Sequence, residues 1–253
     1  MNLESLKNYQ ADHNLLEKRI ILVTGAGSGI GKAVARTYAL HGATVVLLDK
    51  TVPALEKLYD EIEDQGSPQP AIYPLNLQTA TVDEYKKLAH HIESQLGQLD
   101  GIVNNAGALG AYSPFKHYDL SLYQQTMAIN LHAPFFLTQA CLPLLEQAKD
   151  PAIVISTHAS NRAYNGAFGM AKAGQQAMLE ILAHEYSGDT VIRVNGIDTG
   201  PVNTSMRRLN FPGENPRLHP DPEDITAPYV YFIGPDSQGI SGTNIELQPT
   251  TPK

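Results

Sequence analysis

The sequence predicts an α/β protein in which strands alternate with helices, and three observations carry the prediction. Arg19-Ile20-Ile21-Leu22-Val23 is a β-branched apolar run suited to a buried strand, and Lys32 to Leu40 has the apolar spacing of a helix. The two are joined by Val23-Thr24-Gly25-Ala26-Gly27-Ser28-Gly29-Ile30-Gly31, so that a strand runs through glycines into a helix. A second apolar run, residues 43 to 48, ends in Asp49, about where such folds carry a carboxylate for an adenosine ribose. Glycines at 25, 29 and 31 let backbone N–H groups and the helix N-terminus approach an anionic diphosphate. A plain tight turn is the alternative for the glycines alone, and the strand-end carboxylate weighs against it.

Composition narrows the class. At 253 residues and 42% hydrophobic content the chain can bury a large core, and the regular alternation favours one domain over residues 1–253. The formal net charge of −8 gives no general attraction for nucleic acid or an anionic membrane, so the expected partners are a small-molecule substrate and further copies of the chain. With Cys141 the single cysteine, no disulfide forms within the chain. Residues 1 to 19 lack a signal-peptide core, and no apolar run approaches a membrane span, which together lead to the expectation of a cytoplasmic protein.

In chain order, residues 1–18 form a polar extension in which Leu15 and Leu16 are expected to pack on the body. Pro53 to Asp64 reads as a helix ended by Gly66-Ser67-Pro68, Ala71 to Leu75 as a third strand, and Thr81 to Leu96 as another helix. Leu99 to Val103 is a fourth strand with Asn104-Asn105-Ala106-Gly107 at its carboxyl end, where open α/β sheets bind ligands, although Asn and Gly also simply make turns. Asp119 to Gln147 reads as one long helix. Pro134 inside it lacks an N–H, which leaves the carbonyl of Asn130 without its helical partner and open to a structural or a water-binding, relay role. Residues 151 to 155 form a fifth strand capped by Ser156-Thr157-His158. Ala167 to Tyr186 is a helix, and Thr190 to Ile197 a sixth strand leading into Asp198 to Thr204. The proline-rich stretch around 203–222 is a substrate-covering lid or a surface linker. Pro222 to Ile233 and Thr243 to Leu247 supply a last helix and strand.

With these pieces in order, the chain resembles the short-chain dehydrogenase/reductase family over nearly its whole length. Thr24 to Gly31 looks like its TGxxxGxG cofactor turn, Asn104 to Gly107 like its NNAG motif, and Asn130 like its helix asparagine. Residues 15–25, Asn105 to Gly110 and Phe211-Pro212 look most like the YciK-like bacterial oxidoreductases within it. The resemblance implies a Rossmann-type, doubly wound, seven-stranded parallel sheet in a three-layer α/β/α arrangement. It further implies that Gly25, Ser28, Gly29 and Ile30 line the diphosphate and that Asn104 lies near the nicotinamide ribose. Val202 and Thr204 would meet the carboxamide and phosphates, and Lys172 would hold the nicotinamide ribose. Asn76, Leu77, Ala106, Gly107 and Gly200 complete the implied cofactor set. Asp49 would take the adenosine ribose hydroxyls and repel the extra phosphate of NADP, which favours NAD although Lys50 stands beside it. Asn76 replaces a frequent aspartate and Thr199 a frequent proline. A homodimer or homotetramer, paired through long helices, is also implied.

The departure that matters lies at the proton-transfer site. The family places a tyrosine four residues before Lys172, and here that residue is Phe168; the upstream serine position falls at or near His158. Losing a positioned acid/base commonly costs 10²- to 10⁴-fold, roughly 3 to 5 kcal/mol of barrier. Three readings follow. Hydride transfer between nicotinamide and an alcohol/carbonyl pair persists with Tyr164, His158 or a water near Asn130 and Lys172 handling the proton. Alternatively the chain reduces an enoyl-type double bond with a displaced donor, or it is an NAD-binding sensor or scaffold.

Overall fold

The computed structural model describes residues 2–159, 162–188 and 191–248. Among these, seven strands form one sheet: β1 (Ile20–Thr24), β2 (Thr44–Asp49), β3 (Ala71–Pro74), β4 (Gly101–Asn104), β5 (Ala152–Thr157), β6 (Arg193–Asp198) and β7 (Asn244–Glu246). Their order is β3-β2-β1-β4-β5-β6-β7 with every neighbouring pair parallel, the doubly wound Rossmann-type arrangement. Thr190, the expected start of the sixth strand, lies outside the described residues.

Alternate residues of these apolar strands feed two separate cores, because successive side chains leave a strand on opposite faces. Ile21 and Val23 join one core, under α2 (Gly29–Leu40), α3 (Val52–Asp64) and α9 (Ala227–Ile233). Ile20 and Leu22 join the other, under α4 (Val82–Leu96), α6 (Ala133–Leu145) and α7 (Gly166–Glu185). The α4 helix begins with a capping box in which Thr81 and Glu84 satisfy each other's backbone N–H, and ends on Gly97 with φ 79. Ahead of β1, the short α1 (Leu3–Lys7) buries Leu6 while Leu16 is fully enclosed, so the extension is packed onto the α9 side.

The expected single helix from Asp119 to Gln147 is instead three pieces. Asp119 caps α5 (Leu120–Met127), a π turn occupies Ala128–His132, and α6 follows. The wider turn absorbs Pro134, whose missing N–H would otherwise break a regular ladder. The run Leu120–Leu145 has a mean hydropathy of 1.3 in its most apolar window and passes for a membrane span by length and composition, against the sequence expectation; 44% of that window is buried inside the fold. The expected helix from Pro222 is likewise divided, into a 3₁₀ turn at Pro222–Ile225 and α9.

Candidate active site

A cavity of about 420 Å³ opens at the carboxyl ends of the strands. Its floor is the glycine turn. A Cβ on Gly31 would lie 2.2 Å from the Gly25 carbonyl oxygen, so only glycine lets the first turn of α2 pack onto the loop. Gly29 has φ 53, in the left-handed region. The turn is tied to the Asn-Asn-Ala-Gly segment through Thr24, whose Oγ1 donates to the Val103 carbonyl (3.1 Å) and accepts from the N–H groups of Asn105 (2.9 Å) and Ala106 (3.0 Å). At the end of β2, Asp49 accepts from the Gly27 N–H at 3.2 Å and the Thr51 N–H at 3.0 Å, which fixes its carboxylate beside the turn. The glycine cradle at the head of a helix, with a carboxylate one strand over, fits the diphosphate and ribose of a nicotinamide dinucleotide.

Most sequence-predicted cofactor residues meet here. Gly25, Ser28, Gly29, Ile30, Asp49, Asn76, Leu77, Ala106, Gly107, Lys172, Gly200, Val202 and Thr204 all line the cavity. Asn104 does not. It shares the face of Ile102 on β4 and donates from Nδ2 to Thr138 Oγ1 of α6 at 3.0 Å, so the strand's alternation turns it away from the cavity. Its neighbour Asn105, which the sequence did not single out, lines the wall and bonds the Thr24 carbonyl.

The proton-transfer candidates separate in the same way. Phe168 lines the cavity, with His158 beside it at 5.9 Å between ring centroids. His158 Nδ1 lies 3.2 Å from Asp198 Oδ1 at the end of β6. Asp198 also accepts from the N–H groups of Ala159 (2.7 Å) and Gly200 (2.9 Å). Burial opposes ionisation of that carboxyl, and the hydrogen bonds from His158, Ala159 and Gly200 outweigh it, holding it below the usual carboxylate range. Since an ionised carboxylate only accepts, His158 carries a hydrogen on Nδ1 and donates it to Asp198. Tyr164 is the correction: φ is 72, the side chain is 60% exposed, and it lies outside the cavity wall, because the chain turns sharply before α7 rather than extending the helix back to it.

Asn130 is fully buried and is not in the cavity wall. Its side chain serves the loop after β4, with Oδ1 accepting from the Ala108 N–H (3.1 Å) and Nδ2 donating to the Ala108 carbonyl (2.8 Å). Its carbonyl is not left open, since Gln175 Nε2 donates to it at 2.6 Å. Gln175 was missed from sequence, although a glutamine among the apolar positions of α7, three residues after Lys172, was the available signal. Lys172 is buried yet reaches the cavity, and burial pushes its ammonium down from 10.5 to about 8, with Asp198 pulling the other way.

The roof comes from two loops. The 203–222 stretch carries a short helix, α8 (Ser205–Asn210), and its base is closed by Asn203, which bonds Pro220 and Asp221. Arg207 is held bidentately by Glu214 (2.6 and 2.7 Å) and lies 3.6 Å over the Phe211 ring; Phe211 in turn meets Tyr112 edge-on at 5.5 Å. The cavity lining thus takes in the apolar Leu109, Tyr112, Ile129, Phe168, Met206 and Phe211 together with His158 and Arg207.

Comparison with known proteins agrees with this geometry. The family model of short chain dehydrogenases matches residues 19–215. The oxidoreductase YciK of Escherichia coli K12 is 37% identical over 245 residues, 96% of each chain. A short chain dehydrogenase structure from Pseudomonas syringae is 42% identical with a TM-score of 0.90, covering 95% of this chain and 99% of that one. Another, from Shigella flexneri 2a and described as complexed with NADP, is 37% identical with a TM-score of 0.90 over 94% and 100%. The cavity, the strand order and these likenesses lead to one conclusion: the chain belongs to the short-chain dehydrogenase/reductase family and is an oxidoreductase of that type.

Proposed function

We propose that the protein is an NAD-preferring oxidoreductase for an apolar alcohol/carbonyl pair, in which His158, oriented by Asp198, takes the proton role that a tyrosine has elsewhere in the family. The observation that carries this is the His158–Asp198 contact beside Phe168 in the cavity wall. When bound, the dinucleotide supplies or accepts the hydride. Asp198 keeps the His158 tautomer fixed, and His158 gives a proton to the carbonyl oxygen in reduction or takes it from the alcohol in oxidation. The NAD preference rests on Asp49, whose charge opposes a second phosphate near the adenosine ribose. The Shigella flexneri 2a relative is described as complexed with NADP, and the titration below separates the two cofactors. A sensor role is the second reading, favoured by Phe168 beside a complete glycine cradle.

Self-association accompanies this function. Phe135 and Ile181 are exposed on α6 and α7 along a groove that also takes in Leu131, Phe136 and Met178, an apolar face suited to a second copy of the chain.

The test is a fluorescence titration with NADH and NADPH, followed by turnover of a panel of apolar aldehydes and ketones by wild type and His158→Gln. The expected result is at least tenfold tighter NADH binding, with turnover that falls about 10²-fold or more in the variant at unchanged NADH affinity. Undiminished turnover in His158→Gln would remove His158 from the mechanism. Tight NADH binding with no turnover of any substrate would favour the sensor.

A further inference from the structure

Lys172 is held by partners that have no hydrogen to give. Its Nζ donates to the Ser156 carbonyl at 2.6 Å and to Gln175 Oε1 at 2.9 Å, while Gln175 Nε2 donates to the Asn130 carbonyl at 2.6 Å. A carbonyl only accepts, so Asn130 decides which way round the Gln175 amide sits and thereby presents the amide oxygen to the lysine. Gln175 and Asn130 are fully buried, and Lys172 reaches the cavity wall. An ammonium has three hydrogens, and two of them are committed to the interior.

We propose that Gln175 is the positioning residue of this site: its side chain joins the π-turn carbonyl of Asn130 directly to Lys172 and keeps the lysine's one uncommitted hydrogen on the cavity side. Because both interior partners are acceptors, the hydrogen that leaves on deprotonation is the cavity-side one. An amide that donates to a carbonyl does not pass a proton onward, so Lys172 exchanges protons with the cavity and not through the helix behind it. The ionisable groups around it are Asp198 at the end of β6, His158 after β5, and Tyr229 of α9, whose hydroxyl bonds Ser156 Oγ at 2.9 Å. Burial, against the pull of Asp198, leaves the lysine titrating at about 8.

The experiment is an NMR titration of ¹³C,¹⁵N-lysine protein without cofactor, with the Lys172 signal assigned by Lys172→Met. It compares wild type, Gln175→Met and Gln175→Glu, with melting temperature and NADH affinity measured alongside. Gln175→Met withdraws an acceptor from the ammonium, and the Lys172 midpoint is expected to fall by about 1 pH unit, with about threefold weaker NADH binding at pH 7.5. Gln175→Glu places an anion there, and the midpoint is expected to rise. Both variants lose the bond to Asn130, so both melt lower; opposite movement of the midpoint separates positioning from support. If Gln175→Met does not fold, Gln175→Asn withdraws the same acceptor and is expected to lower the midpoint. A midpoint unmoved in the variants, with lowered melting temperatures, would overturn the proposal. The NADH arm rests on the cofactor assignment, whereas the NMR arm does not: failure of wild type to bind NADH would count against the proposed function and leave the Gln175 result standing.

Discussion

Replacing Lys172 by Met removes a titrating group from the interior, and the stability difference between the two proteins then becomes a function of pH. Burial lowers the Lys172 value from 10.5 to about 8, against the pull of Asp198. Below pH 8 the lysine is charged in both folded and unfolded chains, and the fold bears the whole cost of burying that charge. Between 8 and 10.5 the unfolded chain binds more protons than the folded one, so stability rises with pH across this window. The full gap is worth about 3 kcal/mol. Tyr38 and Tyr229, fully buried and raised above 10, begin to oppose folding as pH passes 10, which limits the useful range to about pH 7 to 9.5. Over that range wild type should gain about 2 kcal/mol relative to Lys172→Met. The lost hydrogen bonds to Ser156 and Gln175 add a constant offset that does not vary with pH. Urea unfolding of both proteins at half-unit pH intervals reads the difference directly. A flat difference, or one that shrinks with pH, would refute the account of Lys172 as a charge held in an unfavourable place.

Two further outcomes follow from the geometry. Gly31→Ala sets a methyl 2.2 Å from the Gly25 carbonyl oxygen and should abolish saturable NADH binding, checked by nicotinamide fluorescence on protein whose far-UV spectrum confirms folding. Asp150 lies between two arginines, accepting from Arg19 Nη1 at 2.9 Å and Arg193 Nη2 at 3.1 Å, and Arg193 is 2% exposed. Asp150→Ala should therefore cost about 3 to 5 kcal/mol in urea unfolding, because it strands buried positive charge, while leaving the distant cofactor cavity intact.

How far the sequence reached depends on the range of the interaction concerned. The strand and helix alternation, the glycine turn and the carboxylate at Asp49 were legible because each is written in a local period: two for strands, 3.6 for helices, and fixed offsets for the turn. The placing of Phe168 one helical turn before Lys172 was equally legible, since both fall on one helix. Three things were not. His158 and Asp198 stand 40 positions apart and meet because β5 and β6 are neighbours in the sheet. Asn104 looked like a cofactor contact until the register of β4 turned it toward Thr138. Pro134 has no N–H to give the Asn130 carbonyl, but only the packing of α7 against the π turn brought Gln175 to it. The sequence by itself determined the fold and the cofactor cradle, because these follow from local pattern. Which polar groups face one another across the site was decided by tertiary structure, because an unpaired buried donor or acceptor is costly and most take whichever partner the packed elements bring within reach.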